Sequence, residues 1–413
     1  MKIGYACISI GVPNTEKHTC KLNNATEERL LEIIKSNLDA LENTINYNIE
    51  NKIYLFRIGS DLIPFGSSPV NNLSWWEIFK DKFESIGKKI ITNKIRVSMH
   101  PGQYTVLNSP NPEIVERAIA DLEYHNRILD ALGVDSKSKM VIHIGGIYND
   151  KSKAIEVFIK NYQKLTESIK RRLIIENDDK LYTITDVLEI SRKTKIPVVY
   201  DNLHNSINPS DAGKSDSFWI ELCSKTWDKK DGVPKVHYSQ QDPSKRNGSH
   251  SKTIILDKFL SYYNSIKGID LEIMLEVKDK NLSAIKCINS INKYPLEREW
   301  DIYKYLVLEH SLELYKLINE LFKSKEIIHQ SFYNHIEEAL ETETKKDNTI
   351  IAINLIWNIL KNKVQEKEKK RFVNLLSRFK KDQVSEKAIK NYLLKLASHY
   401  NSFLKYNLFF YSF

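Results

Sequence analysis

The chain has 413 residues, 28% of them charged, and a formal net charge of +9, with a pI near 9.0; that length suits one large domain with a smaller companion, and the positive balance favours a polyanion such as nucleic acid, although a generally Lys-rich proteome produces such a charge as often. Four scattered cysteines (Cys7, Cys20, Cys223, Cys287) with no C-x-x-C pair give no sign of a disulfide framework or a thiolate zinc site. No stretch approaches the roughly 20 apolar residues of a membrane span, and MKIGYACISIGVP is too short an apolar run for a signal peptide, so a soluble, cytoplasmic, reducing setting is expected.

In chain order, short β-branched runs alternate with amphipathic ones. KIGYACIS is the first candidate strand. The helix ATEERLLEIIKSNLDALENTI follows, with apolar residues three and four apart and Thr26 or Asn24 as its cap. KIYLFRIG precedes NNLSWWEIFKDKFESIG, KIRVSMH precedes NPEIVERAIADLEYHNRILDALG, and MVIHIGG precedes DKSKAIEVFIKNYQKLTESI. RLIIEND, IPVVYDN, PKVHYS and LEIMLEV then alternate with TITDVLEISRKT, SDSFWIELCSKTW, KTIILDKFLSYYNSI and NLSAIKCINSIN. Strands this short and continuously apolar are buried on both faces, as in a parallel sheet. Gly87 and Gly133 stand where helix C-caps belong. Eight strand–helix repeats predict a TIM (β/α)8 barrel over residues 1–295. An open doubly wound sheet is the alternative, but no Gly-rich loop follows the first strand, and no nucleotide cofactor is expected.

Pro295, in YPLERE, ends the last helix of that region. Residues 296–413 show helical periodicity only, in DIYKYLVLEHSLELYKLINELFKS, FYNHIEEALETE, NTIIAINLIWNILKNKVQ, EKKRFVNLLSRFKK and SEKAIKNYLLKLASHYNSFLKY. They predict a separate all-α C-terminal domain. Its basic residues Lys367, Lys369, Lys370, Arg371, Lys380 and Lys381 suit DNA phosphates, though such runs are more often the solvated face of a helix.

The strand ends carry the chemistry. In a barrel they surround one mouth. The third strand ends at His100, the fourth carries His143, the fifth ends at Glu176, and the sixth at Asp201 and His204. The seventh carries Lys235 and His237 on one face, its loop adds His250, and the eighth carries Glu276. Two carboxylates about 4 Å apart repel by roughly 4 kcal/mol at an effective dielectric near 20, so three clustered acids call for a counter-cation. A lone His at a strand end is usually a hydrogen-bonded core residue, and a strand-end Asp often caps the next helix; five imidazoles and three carboxylates on successive strands point instead to divalent metal. Imidazole and carboxylate without thiolate suit Mn²⁺, Zn²⁺ or Fe²⁺ better than Ca²⁺. So many ligands fit two or three ions, with Glu176 as a bridge. Such a cluster hydrolyses phosphodiesters or polarises a sugar for isomerisation, and ligand type alone leaves both open.

HPGQYTVLNSP, HIGGIYNDK, IIENDD, VVYDNLHN and KVHYSQQDPSKRNGSHS, in that order, resemble the UV damage endonucleases (UvdE/UvsE-like) over about residues 1–290. The resemblance implies a metal-dependent DNA repair nuclease on a TIM barrel, incising immediately 5′ of pyrimidine dimers and 6-4 photoproducts. It implies a cluster of up to three ions, usually Mn²⁺, with Zn²⁺, Co²⁺ or Mg²⁺ as substitutes. The implied ligands are His100, His143, Glu176, Asp201, His204, His237, His250 and Glu276. Gln103 and Tyr104 match the pair inserted into the duplex opposite the damage, Tyr5 matches a tyrosine at the site, and Lys235 matches a lysine modified by carboxylation. Ser9 stands where the family has Asn, and Ser68 where it often has His; both departures bear on lesion preference. Catalytic roles fall to Glu176, Glu276 and Lys235, and Lys245 and Arg246 are expected near phosphates. The expected partner is double-stranded DNA with UV lesions, bound by a monomer. An abasic-site endonuclease, a sugar isomerase on the same scaffold and a non-catalytic DNA-binding protein are the alternatives. HSLELYKLINELF and NLLSRFKKDQVSEKAIKNYLLKLASHYNSFLKYNLFF resemble a small YbgA-like domain of unknown function.

Overall fold

A computed structural model describes residues 1–323, 328–401 and 403–411. Eight parallel strands among these residues close into a barrel in sequence order. They are β1 (Ile3–Cys7), β2 (Leu55–Ile58), β3 (Arg96–Met99), β4 (Lys139–Ile142), β5 (Leu173–Glu176), β6 (Val198–Asp201), β7 (Lys235–Tyr238) and β8 (Glu272–Leu275). The closing pair aligns Ile3, Gly4 and Tyr5 with Ile273, Met274 and Leu275. The TIM-barrel expectation is met, and the C-terminal region is helical as expected.

Alternation along each strand sends one set of side chains inward. Ala6, Leu55 and Met274 form one apolar cluster, and Val141, Ile174 and Val199 form another with Trp227. The first residues of four strands, Arg96, Lys139, Lys235 and Glu272, are charged and buried. Buried charge requires partners: Lys139 pairs with Asp231 at 2.5 Å and Arg96 with Glu272 at 2.9 Å.

The flanking helices begin where side chains satisfy free backbone N–H groups. Thr26 caps Glu27–Glu50 by accepting from Arg29 N. Asn111 caps Pro112–Ala131, with proline at its first turn, and Asp150 caps Lys151–Gln163.

The two glycines differ. Gly133 follows Pro112–Ala131 with φ +65°, as a helix-ending glycine should. Gly87 lies inside the helix Lys80–Thr92, where a Cβ would stand 1.8 Å from the Leu132 carbonyl oxygen. Close helix approach, not chain termination, requires glycine there. Three stretches read as single helices are each divided. Residues 71–87 hold Trp75–Ile78 and the start of Lys80–Thr92, and residues 150–169 hold Lys151–Gln163 and the start of Glu167–Arg172. Ser311 is extended and caps Leu312–Leu321, separating it from Glu297–His310. Ser324 and Ser402, both within predicted helical stretches, lie outside the described residues.

Two compact units emerge, residues 1–9 with 14–285, and residues 10–13 with 286–413. In the second, Leu308, Ile353, Ile356, Phe372, Leu393 and Phe409 share one apolar core. Its buried Glu309 accepts from Lys390 Nζ at 2.8 and 2.7 Å. No helix among the described residues is long and apolar enough to cross a membrane.

Candidate metal centre

Glu176, the last residue of β5, is the hub of the barrel mouth. His100 Nε2 lies 2.7 Å and His143 Nε2 2.9 Å from its Oε1, and His237 Nδ1 lies 2.5 Å from its Oε2. His237 Nδ1 is also 3.4 Å from Glu276 Oε1 and 4.0 Å from Asp201 Oδ2. His204 Nδ1 stands 3.7 Å from Asp201 Oδ2, and His250 Nε2 3.7 Å from Glu276 Oε2. All eight expected ligands thus connect through contacts of 4.0 Å or less.

Local structure fixes their orientation. His100 Nδ1 donates to the Pro101 carbonyl at 2.9 Å. With Nδ1 held as a donor, Nε2 faces Glu176 Oε1 at 2.7 Å, an approach that a proton or a shared cation between the two atoms makes favourable. His204 Nδ1 likewise donates to the Asn177 carbonyl at 2.9 Å. The Asp201 backbone is fixed from both sides: its N–H donates to Asn177 Oδ1, while Asn177 Nδ2 donates to the Asp201 carbonyl. Asp201 also caps a short helix, Asn202–Ile207, which the sequence reading missed; its Oδ1 accepts from His204 N at 2.9 Å. The strand-end acid is therefore both cap and site residue.

Burial and charge set the protonation pattern. Burial alone would raise Glu176, but His237, His143 and His100 outweigh it and hold the carboxyl well below its ordinary range. Burial, with Glu276 and Glu176 nearby, raises Asp201. Burial opposes charge on His204, yet Asp201, Glu176 and Glu276 push its pKa up to about 9. Burial raises Glu276 as well, and Arg57 and His237 overturn that and lower it.

The donor set fits divalent cations. His100, His143 and Glu176 form one group, and Glu176, Asp201 and His237 another, each with its ligand atoms within 4.8 Å of one another. Glu176 belongs to both groups. His143 Nδ1 and Asp201 Oδ2 are buried without a hydrogen-bond partner among the described residues, and Glu176 Oε2 and His237 Nδ1, though 2.5 Å apart, do not meet in hydrogen-bond geometry. Such atoms are costly unless something charged satisfies them.

Other expected site residues are placed differently. Gln103 and Tyr104 lie on the exposed turn after His100, Tyr104 being 78% exposed. Lys245 and Arg246 are exposed on the loop after β7, whose Gln241 bridges antiparallel to His250. Tyr5 is not brought to the cluster. Its hydroxyl donates to Asn48 Oδ1 at 2.8 Å and lies 2.6 Å from Ser9 Oγ, and its ring packs on Phe56. Lys235 is buried at the start of β7, two residues before His237, and its Nζ is without a hydrogen bond among the described residues. Burial, Arg96, Arg57 and Lys139 together hold its pKa well below the ordinary lysine value.

The sequence reading passed over Arg57. This buried β2 residue donates to Glu276 Oε1 at 2.6 Å and to His237 Nε2 at 2.7 Å. A lone cation inside the apolar run YLFRIG was its signal.

Residues 1–299 match the family described as UV-endonuclease UvdE. The chain belongs to the UvdE family. It is 46% identical over 404 residues to the UV DNA damage endonuclease of Clostridium perfringens (strain 13 / Type A), covering 96% of each sequence. It is 34% identical over 268 residues to the UV DNA damage endonuclease of Bacillus cereus (strain Q1), covering 64% of this chain and 84% of that one. The crystal structure of SacUVDE aligns with a TM-score of 0.67 and 38% identity, over 71% of this chain and 98% of that one. As a UvdE-family protein it is a DNA repair endonuclease. Residues 304–413 match a protein of unknown function, DUF1722.

Proposed function

We propose that the protein incises the DNA backbone immediately 5′ of UV photoproducts, using two or three divalent ions held by His100, His143, Glu176, Asp201, His204, His237, His250 and Glu276. The convergence of imidazole and carboxylate atoms on Glu176 carries this reading. Mn²⁺ is the proposed metal, since nitrogen and oxygen donors without thiolate suit it. When bound, such ions supply Lewis acidity at the scissile phosphate and the departing 3′-oxygen.

The chain's own groups supply the rest. Tyr104 is exposed and free to stack in the gap beside a poorly paired dimer, with Gln103 hydrogen-bonding base edges. Lys245 and Arg246 contact flanking phosphates. Glu176 and Glu276 orient the attacking water. Hydrolysis breaks the P–O3′ bond and leaves a 3′-hydroxyl and a 5′-phosphate. The unpartnered Lys235 Nζ supports carboxylation: a neutral amine adds CO2, releases a proton and becomes an anion facing Arg57, Arg96 and Lys139.

Supercoiled plasmid, irradiated or untreated, incubated with the protein and Mn²⁺, tests the proposal. Nicking confined to irradiated plasmid and stopped by chelator is expected, with primer extension placing the break 5′ of dimers. Equal nicking of untreated plasmid, or cutting confined to abasic sites, would reject it.

A further inference from the structure

The chain's positive charge is concentrated. Residues 345–413 carry 15 Lys and Arg against 5 Asp and Glu, whereas residues 296–344 carry 5 against 11. The net +10 of the last segment thus exceeds the +9 of the whole protein.

On the helix Glu366–Lys380 these charges are sorted by face. Phe372 and Phe379 are buried, with Leu375 and Leu376 packed beside them. Lys367, Lys370, Arg371 and Arg378, with Lys381 just past the helix end, recur at helical spacing on the opposite side and are exposed. No acidic residue lies between Glu368 and Asp382. None of the five cations has a carboxylate partner among the described residues, whereas Lys369 pairs with Glu366 and Lys346 with Asp382. Arg371 is seated over the Tyr392 ring at 5.0 Å, which restrains its guanidinium. Like charges at this spacing repel and weaken the helix, and solubility alone is better served by mixed signs. The stripe from Lys367 to Lys381 runs about 21 Å at 1.5 Å per residue, a length over which duplex DNA presents about a dozen phosphates.

We infer that this face of the helix Glu366–Lys380 docks on the phosphate backbone of duplex DNA without regard to sequence or lesion. Charge complementarity and the DNA endonuclease barrel in the same chain select DNA among polyanions. The inference rests on DNA being the substrate, not on which lesion is cut. A tethered second contact of this kind raises the local concentration of duplex for the barrel without any added chemistry.

The test uses full-length protein, chelator and a short lesion-free duplex, read by fluorescence anisotropy across a salt series. In the variant K367Q/K370Q/R378Q/K381Q the helix propensity is nearly preserved, and Arg371 keeps its place on Tyr392. The slope of log affinity against log salt should become shallower by about 3 to 4, with affinity at low salt falling at least about tenfold. A variant with equal charge loss elsewhere, K35Q/K88Q/K160Q/K225Q, should stay within about twofold of the parent. An unchanged slope in the first variant, an equal loss in the second, or a loss seen only with RNA or phosphatidylserine vesicles would each overturn the inference. Incision of saturating irradiated duplex is scored separately in Mn²⁺ and should be unchanged. Failure of the parent protein to incise would count against the proposed lesion specificity and leave the docking face standing.

Discussion

Arg57 and Glu276, 219 positions apart in the chain, meet at 2.6 Å inside the barrel mouth. The same guanidinium donates to His237 Nε2 at 2.7 Å. One buried cation therefore neutralises a carboxylate and orients the imidazole beside it. Replacing Arg57 by Ala leaves the largely covered Glu276 near Glu176 and Asp201 without its counter-charge. Unfolding in urea with chelator present should show a loss of about 3 to 5 kcal/mol. Lys at 57 should recover only part, because a single ammonium cannot serve two acceptors in fixed directions. An R57A protein as stable as the parent would remove this role.

Glu176→Gln keeps the volume and removes the charge on which three imidazoles converge. Nicking of irradiated plasmid should fall by at least about a hundredfold, while anisotropy with lesion-bearing duplex changes little. Near-parental nicking would show that the hub assignment is wrong.

His204 sets a pH dependence. Its folded pKa of about 9 lies above the ordinary value of 6.5. Its contribution to stability is complete below the unfolded pKa and is lost as pH rises through about 9. Glu176, lowered, contributes in the opposite sense: its share is present above the ordinary carboxyl range and lost as pH falls through its depressed pKa. With chelator present, thermal stability should decline on the alkaline side near pH 9. Ligation needs neutral imidazole, so Mn²⁺ binding near pH 7.5 should release close to one proton. Calorimetry in buffers of different ionisation enthalpy measures that number, and zero release would contradict the assignment.

Tyr104→Ala should leave folding untouched, since the ring is 78% exposed. Stacking on a base is worth about 1 to 3 kcal/mol, so affinity for dimer-bearing duplex should drop about 5- to 150-fold while lesion-free binding holds. An equal drop on both duplexes would reassign Tyr104 to general contact.

Gly87→Ala sets helix propensity against packing. In an open helix the change gains about 1 kcal/mol. Here the new Cβ meets a backbone oxygen at 1.8 Å, and overpacking of this kind costs about 1 to 3 kcal/mol. Net destabilisation is expected by denaturant titration, and a stabilised variant would show that the two helices separate easily.

The barrel was legible because each strand is a short β-branched run between amphipathic segments, with IIE and VVYD ending in acids at the mouth. Once eight such units are recognised, the strand-end residues converge by topology. What stayed hidden depends on depth and facing. Ala6 belongs to the inner apolar cluster, so its neighbour Tyr5 faces the other way. Lys235 shares the face of His237 but sits two residues, roughly 6.6 Å, further in. Gly87 and Gly133 look alike in sequence, and only the neighbouring Leu132 carbonyl separates contact from termination.

Asp201 uses its two oxygens differently: Oδ1 starts the helix Asn202–Ile207, and Oδ2 faces the imidazoles. Shape and charge at this position can therefore be uncoupled by one isosteric change. Asparagine would still begin that turn through its carbonyl and would offer the imidazoles an amide nitrogen, giving a protein with the correct scaffold and a deliberately disabled grip on cations.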